Sequence, residues 1–203
     1  MARYSEKQKA ALDALMKDDV HDHAMEIIRT DGVDGLTMER LANEIGVSRG
    51  TLYNYFDDKD AVIDHVEDRC FGEMLAAVEE IVKSPVSPID KLAKIADWIF
   101  TEVYEDRALF MALKPIKHMR STLECHVERH NRAMELMRTV ISDGIDRGAF
   151  RELDAEIAGE AFLGSITGML ESMLASGEFR RGSEVVPALM DLYLGGLRSG
   201  GKE

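Results

Sequence analysis

The stretch that decides the fold is residues 36–59, with the sequence LTMERLANEIGVSRGTLYNYFDDK. Thr37 is a strong N-cap residue, and an apolar stripe at helical spacing follows it. Gly46 predicts the end of that first helix, because glycine enters the left-handed conformation without a steric penalty. Ser48 predicts the start of a second helix, whose apolar residues lie four apart and face inward. The pattern therefore predicts two short helices joined by a tight turn.

This arrangement is typical of the helix–turn–helix, in which the second helix enters the DNA major groove. An ordinary helical hairpin is the alternative, and the residues left facing outward distinguish the two. On the second helix they are hydrogen-bonding residues of the kind found at nucleic-acid interfaces: Arg49, Thr51, Tyr53, Asn54 and Tyr55. From these residues alone, both interpretations stay open.

Three segments resemble the DNA-binding domain of the tetracycline-repressor (TetR) family: TMERLA at 37–42, GVSRGTLYNYF at 46–56 and DKD at 58–60. A looser similarity to the family's later helices follows in DGIDRGAFR at 143–151, LDAEIA at 153–158 and ALMDLYLGGL at 188–197. Residues 84–142 match no subfamily. The resemblance implies an all-α, TetR-like protein with an N-terminal three-helix DNA-binding domain and a C-terminal helical domain for ligand binding and dimerisation.

The resemblance also places nine residues at the positions where the family contacts DNA: Thr37, Ser48, Arg49, Gly50, Thr51, Tyr53, Asn54, Tyr55 and Lys59. An arginine near a helix N-terminus, such as Arg49, can bind guanine with two hydrogen bonds. Gly50 allows close backbone approach. Tyr55 and Lys59 suit phosphates, which position a protein without specifying a sequence.

The charge of the chain argues against a general nucleic-acid binder, which is normally basic. The net charge is −13, and residues 1–60 contain thirteen acids against eight bases. The acids gather on the first predicted helix and its loop. Local positive potential can still come from Arg49, Lys59 and two helix N-termini. The composition therefore predicts weak non-specific binding and reliance on specific contacts.

The predicted organisation is a DNA-binding domain at residues 1–65, with an N-terminal arm at 1–17, and an effector-binding and dimerisation domain at 66–203. The arm is predicted as an added helix, as an extension of the next helix or as a solvated tail. A turn is predicted at 31–35, a long fourth helix to about residue 83, and a loop at the SPVSP segment. Later helices are predicted over about 89–104, from about 107 with an end or a kink at Pro115, and over about 121–147, 154–176 and 183–198.

Small residues on the eighth predicted helix allow close packing of another helix. Internal packing within one subunit is the alternative. The resemblance implies a two-fold dimer built by helices eight and nine, and two-fold symmetry matches palindromic operators. The predicted dimer residues are Phe162, Ile166, Met169, Leu170, Leu189, Leu192, Tyr193 and Leu197.

An effector pocket is predicted from a collection of aromatic and methionine side chains: Trp98, Phe100, Tyr104, Phe110, Met111, Met119, Met134, Met137, Phe162 and Met169. Methionine adapts to irregular cavities, although each residue alone is better explained as core. Together with a helix break at Pro115, the set favours a lipophilic ligand site.

A second possibility is a metal- or redox-responsive regulator. His126 and His130 lie four apart on one helical face, with Cys125 beside them. A solvated histidine pair is the ordinary explanation, and both stay open. Motifs for catalysis are missing from the sequence, so neither an enzyme nor a cofactor is expected.

The sequence as a whole predicts a ligand-responsive transcriptional regulator, with a repressor favoured. Its expected partners are double-stranded operator DNA, a small lipophilic effector of unidentified chemistry and a second copy of the chain. Two cysteines, the lack of an apolar run of membrane-spanning length and the lack of a signal-peptide core predict a cytoplasmic protein without a membrane partner.

Overall fold

The computed structural model describes the backbone of residues 6–120 and 124–197, and the side chains of residues 6–113 and 127–197. Over that backbone the chain is helical and contains no strand, which confirms the predicted all-α class. The helices are α1 (Glu6–Gly35), α2 (Met38–Ile45), α3 (Arg49–Tyr53), α4 (Lys59–Lys83), α5 (Pro88–Glu105), α6 (Arg107–Arg120), α7 (Glu124–Asp146), α8 (Ala155–Ser176) and α9 (Gly182–Leu197).

The chain divides into two compact units after Gly72, within α4. Among the helices that the structure describes, none combines the length and the apolar character needed to cross a bilayer.

The first helix takes in the described part of the predicted arm, which is one of the alternatives that the sequence left open. It spans Glu6–Gly35, so residues 6–17 are an extension of α1. The turn predicted at 31–35 is reduced to an interruption at Gly32, where φ is 70° and ψ is −179°. Residues 7–17 are rich in alanine, leucine and lysine and contain no helix-breaking residue, so local propensity permits the extension.

The N-terminal unit has its own apolar core. α2 packs against both α1 and α3. The buried side chains come from all four helices and the connections between them: Val20, Ala24, Ile27, Ile28, Leu36, Leu41, Leu52, Phe56, Val62 and Val66. Because this core fixes the α2–α3 pair from the inside, the opposite face of α3 is free to carry polar residues.

The C-terminal unit is organised around α5, which packs against α7 and α9, while α7 also packs against α8. Its largest fully buried side chains include Phe100 on α5, Ile141 on α7, Phe150 after α7 and Phe162 on α8. The end of α7 is closed by Gly148 at φ 70°, and the Phe150 amide donates to the Gly144 carbonyl at 3.0 Å. The Phe150 ring occupies the place where a side chain at Gly144 would lie.

Of the two outcomes predicted at Pro115, a helix end is wrong, because α6 continues through that position to Arg120, and a kink stays a prediction. A proline removes one donor from the helical ladder, and the bonds of the turns on either side can hold the helix together. The caps predicted at the two ends of α8 are confirmed. Asp154 accepts from the amides of Glu156 and Ile157, and Gly177 ends α8 at φ 74°.

Candidate nucleic-acid interface

The first helix of the motif is fixed at both ends by local hydrogen bonds. The Thr37 hydroxyl accepts from the Arg40 amide at 3.1 Å, which is the predicted N-cap. At the other end, Gly46 has φ 81° and donates its amide to the Ala42 carbonyl at 3.0 Å. A left-handed residue at this point turns the chain sharply toward α3.

The second helix is short and is held by Ser48. Its hydroxyl accepts from the Thr51 amide at 3.0 Å and lies 2.8 Å from the Thr51 hydroxyl. Leu52 is fully buried beneath the helix. Both hydroxyl groups are therefore engaged in the helix cap, so Ser48 and Thr51 stabilise the motif in addition to any contact with DNA.

The outer face of α3 carries four exposed residues, Arg49, Gly50, Tyr53 and Asn54. The Arg49 guanidinium lies 5.9 Å from the centre of the Tyr53 ring and 3.8 Å from a Glu39 carboxylate oxygen. Exposed ion pairs of this kind contribute little free energy, so a guanine or a phosphate can replace Glu39. Arginine over an aromatic ring also narrows the conformations open to the guanidinium.

Tyr55 lies beyond the end of α3 and is only half-exposed. Its hydroxyl donates to Asp13 of α1 at 2.9 Å. That hydrogen bond, followed by burial and the negative charge of Asp13, raises the pKa of Tyr55. Sequence analysis missed Asp13, because a contact across 42 residues leaves no local pattern. Lys59, the last predicted DNA-binding residue, begins α4 and is half-buried.

The predicted effector residues differ in their exposure to solvent. Phe100, Met137 and Phe162 are fully buried in the core, whereas Met111 is 40% exposed. The partly buried members are Trp98, Tyr104, Phe110, Met134 and Met169, and the side chain of Met119 lies outside the described residues. Neither of the two grooves described next is lined by more than one member of this set, so the pocket stays a prediction.

The C-terminal unit has two open grooves that are lined mainly by residues outside the predicted effector set. One, of about 570 Å³, is lined by α8 and α9, among them Gly164, Gly168, Met169, Leu192 and Tyr193. The other, of about 250 Å³, is lined by α7 and α8, among them His130, Met134, Arg138 and Glu160. Each contains a single residue of the predicted effector set.

The predicted dimer residues lie in two environments within the protomer. Phe162, Ile166 and Leu197 are each at most 6% exposed and pack in the core, and Leu189, at 7%, lines the groove of α8 and α9. The apolar periodicity of a helix does not distinguish its inward face from an interface. The remaining members lie at the surface, with Met169, Leu170 and Tyr193 half-buried and Leu192 80% exposed.

The histidine and cysteine cluster is only partly described. His130 is exposed, and the side chains of Cys125 and His126 lie outside the described residues. Where side chains are described, no group of three or more His, Cys, Asp or Glu has an arrangement suited to a metal ion.

Comparison with known proteins places the chain among bacterial regulators. Residues 21–66 match the family profile described as bacterial regulatory proteins, tetR family. The fatty acid metabolism regulator protein of Bacillus subtilis (strain 168) is 25% identical over 150 residues, which cover 71% of this chain and 76% of the relative. The transcriptional repressor KstR2 of Mycobacterium tuberculosis is 24% identical over 136 residues, which cover 62% and 65%.

Solved structures show the same fold. FadR from Bacillus subtilis in complex with stearoyl-CoA has a TM-score of 0.73 and 21% identity, covering 88% of this chain and 97% of that one. A TetR transcription regulator from Haloarcula marismortui has a TM-score of 0.78 and 20% identity, covering 92% and 100%. At these sequence identities the structural similarity supports a shared fold and nothing further.

Two capped helices with a polar outer face on the second define a helix–turn–helix DNA-binding protein. Residues 21–66 form a DNA-binding domain of the kind found in the tetR family of bacterial regulatory proteins, as the sequence resemblance implied. The chain is a DNA-binding transcriptional regulator, and its relatives are regulators rather than enzymes.

Proposed function

We propose that the chain is a repressor that binds a palindromic operator as a homodimer and is released from it by a small lipophilic effector. The observation that carries this proposal is the outer face of α3, where Arg49, Tyr53 and Asn54 are exposed above a buried Leu52. An arginine and an amide side chain on a recognition helix suit guanine and adenine edges.

The remaining predicted contacts divide into two roles. Thr37 and Ser48 sit at helix N-termini, whose free amides and positive dipole ends attract phosphates. Tyr55 and Lys59 add phosphate contacts, and Gly50 and Thr51 bring the backbone of α3 close to the groove. In this proposal residues 1–65 bind DNA, and residues 66–203 bind the effector and the second subunit.

Dimerisation is proposed through the groove of α8 and α9. Leu192 is 80% exposed beside this groove, and a large exposed apolar side chain next to small residues favours burial against another helix. A second subunit supplies the second recognition helix, which a palindromic site requires at a spacing of about 34–36 Å.

The proposed effector class is a long-chain fatty acyl-CoA. The support is the described role of the Bacillus subtilis relative in fatty acid metabolism and the stearoyl-CoA bound to FadR. The methionine and aromatic side chains of the C-terminal unit suit an acyl chain. α4 contributes residues to both units, so a ligand that shifts α4 would alter the DNA-binding unit directly.

The test is capture of genomic DNA fragments by the purified full-length protein, followed by sequencing. We expect enrichment of a palindromic site, and stearoyl-CoA should weaken binding to it by about 5- to 150-fold, while coenzyme A alone should not. Operator DNA should weaken stearoyl-CoA binding by the same factor, since coupling is reciprocal. A lack of enrichment contradicts the DNA assignment, and enrichment without a stearoyl-CoA effect contradicts the effector class.

The proposal has further parts. Because its partner is operator DNA, we place the protein in the cytoplasm and assign it no enzymatic activity and no cofactor. A metal- or redox-responsive regulator using Cys125, His126 and His130 is the alternative, and the comparisons give it no support. Zinc or copper titration against a variant lacking Cys125 and His126 separates the two.

A further inference from the structure

The N-terminal extension of α1, residues 6–18, contacts the rest of the DNA-binding unit through three of its residues. Asp13 accepts from the Tyr55 hydroxyl, the Lys17 carbonyl lies 3.0 Å from Nε2 of His65, and Asp18 pairs with Arg69. The family profile begins at residue 21, so these contacts come from a segment outside the match. The first of them engages a residue that we assign to a DNA phosphate.

Tyr55 cannot serve both acceptors at once. A tyrosine hydroxyl carries one proton, so it donates either to the Asp13 carboxylate or to a phosphate oxygen. A phosphate bonded to the Tyr55 oxygen would also lie within about 6 Å of the Asp13 carboxylate, given an ordinary hydrogen-bond length. Two negative groups at that distance repel each other. In the free protein Asp13 therefore holds the hydroxyl that DNA requires.

We propose that Asp13 competes with the DNA phosphate for the Tyr55 hydroxyl and weakens binding to every DNA sequence. This inference rests on the proposed function and adds a regulating residue to the same surface. A phosphate contact carries no sequence information, so its loss lowers operator and non-specific affinity by the same factor. The competition therefore lowers the overall affinity for DNA and leaves the ratio of operator affinity to non-specific affinity unchanged.

The acidity of the chain fits this role. Glu39 faces Arg49 at 3.8 Å, so a second predicted DNA contact also has an acidic partner in the free protein. The Arg49 pair is long and exposed, whereas the Tyr55 hydroxyl makes a hydrogen bond of 2.9 Å to a charged acceptor, which is the stronger kind of contact. We therefore place the main competition at Asp13.

The first experiment compares Asp13→Asn with the wild-type chain by fluorescence anisotropy on two duplexes of equal length, the captured operator and a random sequence. Asparagine keeps the size and an acceptor but removes the charge. We expect affinity for both duplexes to rise by on the order of tenfold. Asp22→Asn is the matched control, since it removes the same charge from an exposed position of α1, and its affinities should change less than twofold.

The second experiment repeats Asp13→Asn in a Tyr55→Phe background, where the gain should shrink because no hydroxyl is left to contest. In the free protein, the pKa of Tyr55, followed by NMR with labelled tyrosine, should fall in Asp13→Asn.

An unchanged or weaker affinity in Asp13→Asn, an undiminished gain without the hydroxyl, or an unaltered Tyr55 pKa each overturns the competition. If the wild-type chain binds neither duplex, the proposed function fails and this inference fails with it. Wild-type binding without an Asp13 effect defeats the inference alone.

Discussion

The Tyr193 hydroxyl on α9 donates a hydrogen bond to the Ala158 carbonyl on α8, and the two atoms lie 2.6 Å apart. The Tyr193 ring lies against Phe162, with the ring centres 5.0 Å apart. One side chain thus joins two helices by a polar and an apolar contact. Within a helix, a carbonyl already accepts from the backbone, so this bond uses the second lone pair.

Tyr193→Phe should lower the free energy of unfolding by about 0.5–1.5 kcal/mol, the usual net contribution of one hydrogen bond. The variant keeps the ring contact with Phe162, so the decrease in the free energy of unfolding reports the contribution of the hydroxyl alone. Urea unfolding at neutral pH measures it. Equal midpoints for the variant and the wild type would contradict this role of the hydrogen bond.

Alkaline pH should act on the same residue. Burial raises the pKa of Tyr193 to about 12, above the value of about 10 expected in the unfolded chain. The folded state holds the Tyr193 proton more tightly than the unfolded chain does. The contribution of this hydroxyl to the free energy of unfolding is therefore complete below pH ~10 and is lost as the pH rises through ~12. The melting temperature of the wild type should therefore fall more steeply over this interval than that of Tyr193→Phe. Parallel curves would argue against the shift.

Ser48→Ala should destabilise the DNA-binding unit by about 0.5–2 kcal/mol, because the amides at the start of α3 lose their cap. Ser48→Asn supplies another good N-cap residue and should stay close to the wild type. Thermal unfolding of the three proteins measures the difference. The cap assignment fails if alanine and asparagine at this position are equally stable.

Arg49→Ala should reduce operator discrimination by about 1–3 kcal/mol, the range for a two-bond arginine–guanine contact. Its unfolding free energy should stay within about 0.5 kcal/mol of the wild type, since its ion pair with Glu39 is long and exposed. Arg180→Ala removes an exposed arginine from the C-terminal unit and should leave binding unchanged. An anisotropy titration that finds wild-type affinity in Arg49→Ala would remove this residue from the interface.

Leu192→Glu should convert the proposed dimer to monomers, because a charge would be buried against the partner subunit without a counter-ion. The protomer core should be unaffected, since Leu192 is 80% exposed. Sedimentation velocity gives the oligomeric state. Val127→Glu makes the same change at an exposed position of α7 and should stay dimeric. A dimeric Leu192→Glu would exclude this groove as the interface.

Short-range features of the fold were predictable. Thr37, Gly46, Ser48, Asp154 and Gly177 each act within four residues of their own position, through a cap or a left-handed turn. Such interactions depend only on residues close together in the sequence, and the predicted caps at these positions are all present.

Features that depend on packing were not predictable in the same way. The pattern of α8 and α9 assigned Phe162 and Ile166 to a dimer surface, although they fill the core of one protomer. Helical periodicity identifies an apolar face without identifying its partner. At Pro115 a local rule predicted an end or a kink, and the helix does not end there.

The sequence by itself determined the helix–turn–helix, its caps and the polar residues on the outer face of α3, because each depends on neighbours along one or two turns. Only the tertiary structure decided which apolar residues are core and that Asp13 reaches Tyr55. The physical reason is distance along the chain. A contact between residues 42 positions apart exists only after the helices have packed, and no local pattern encodes it.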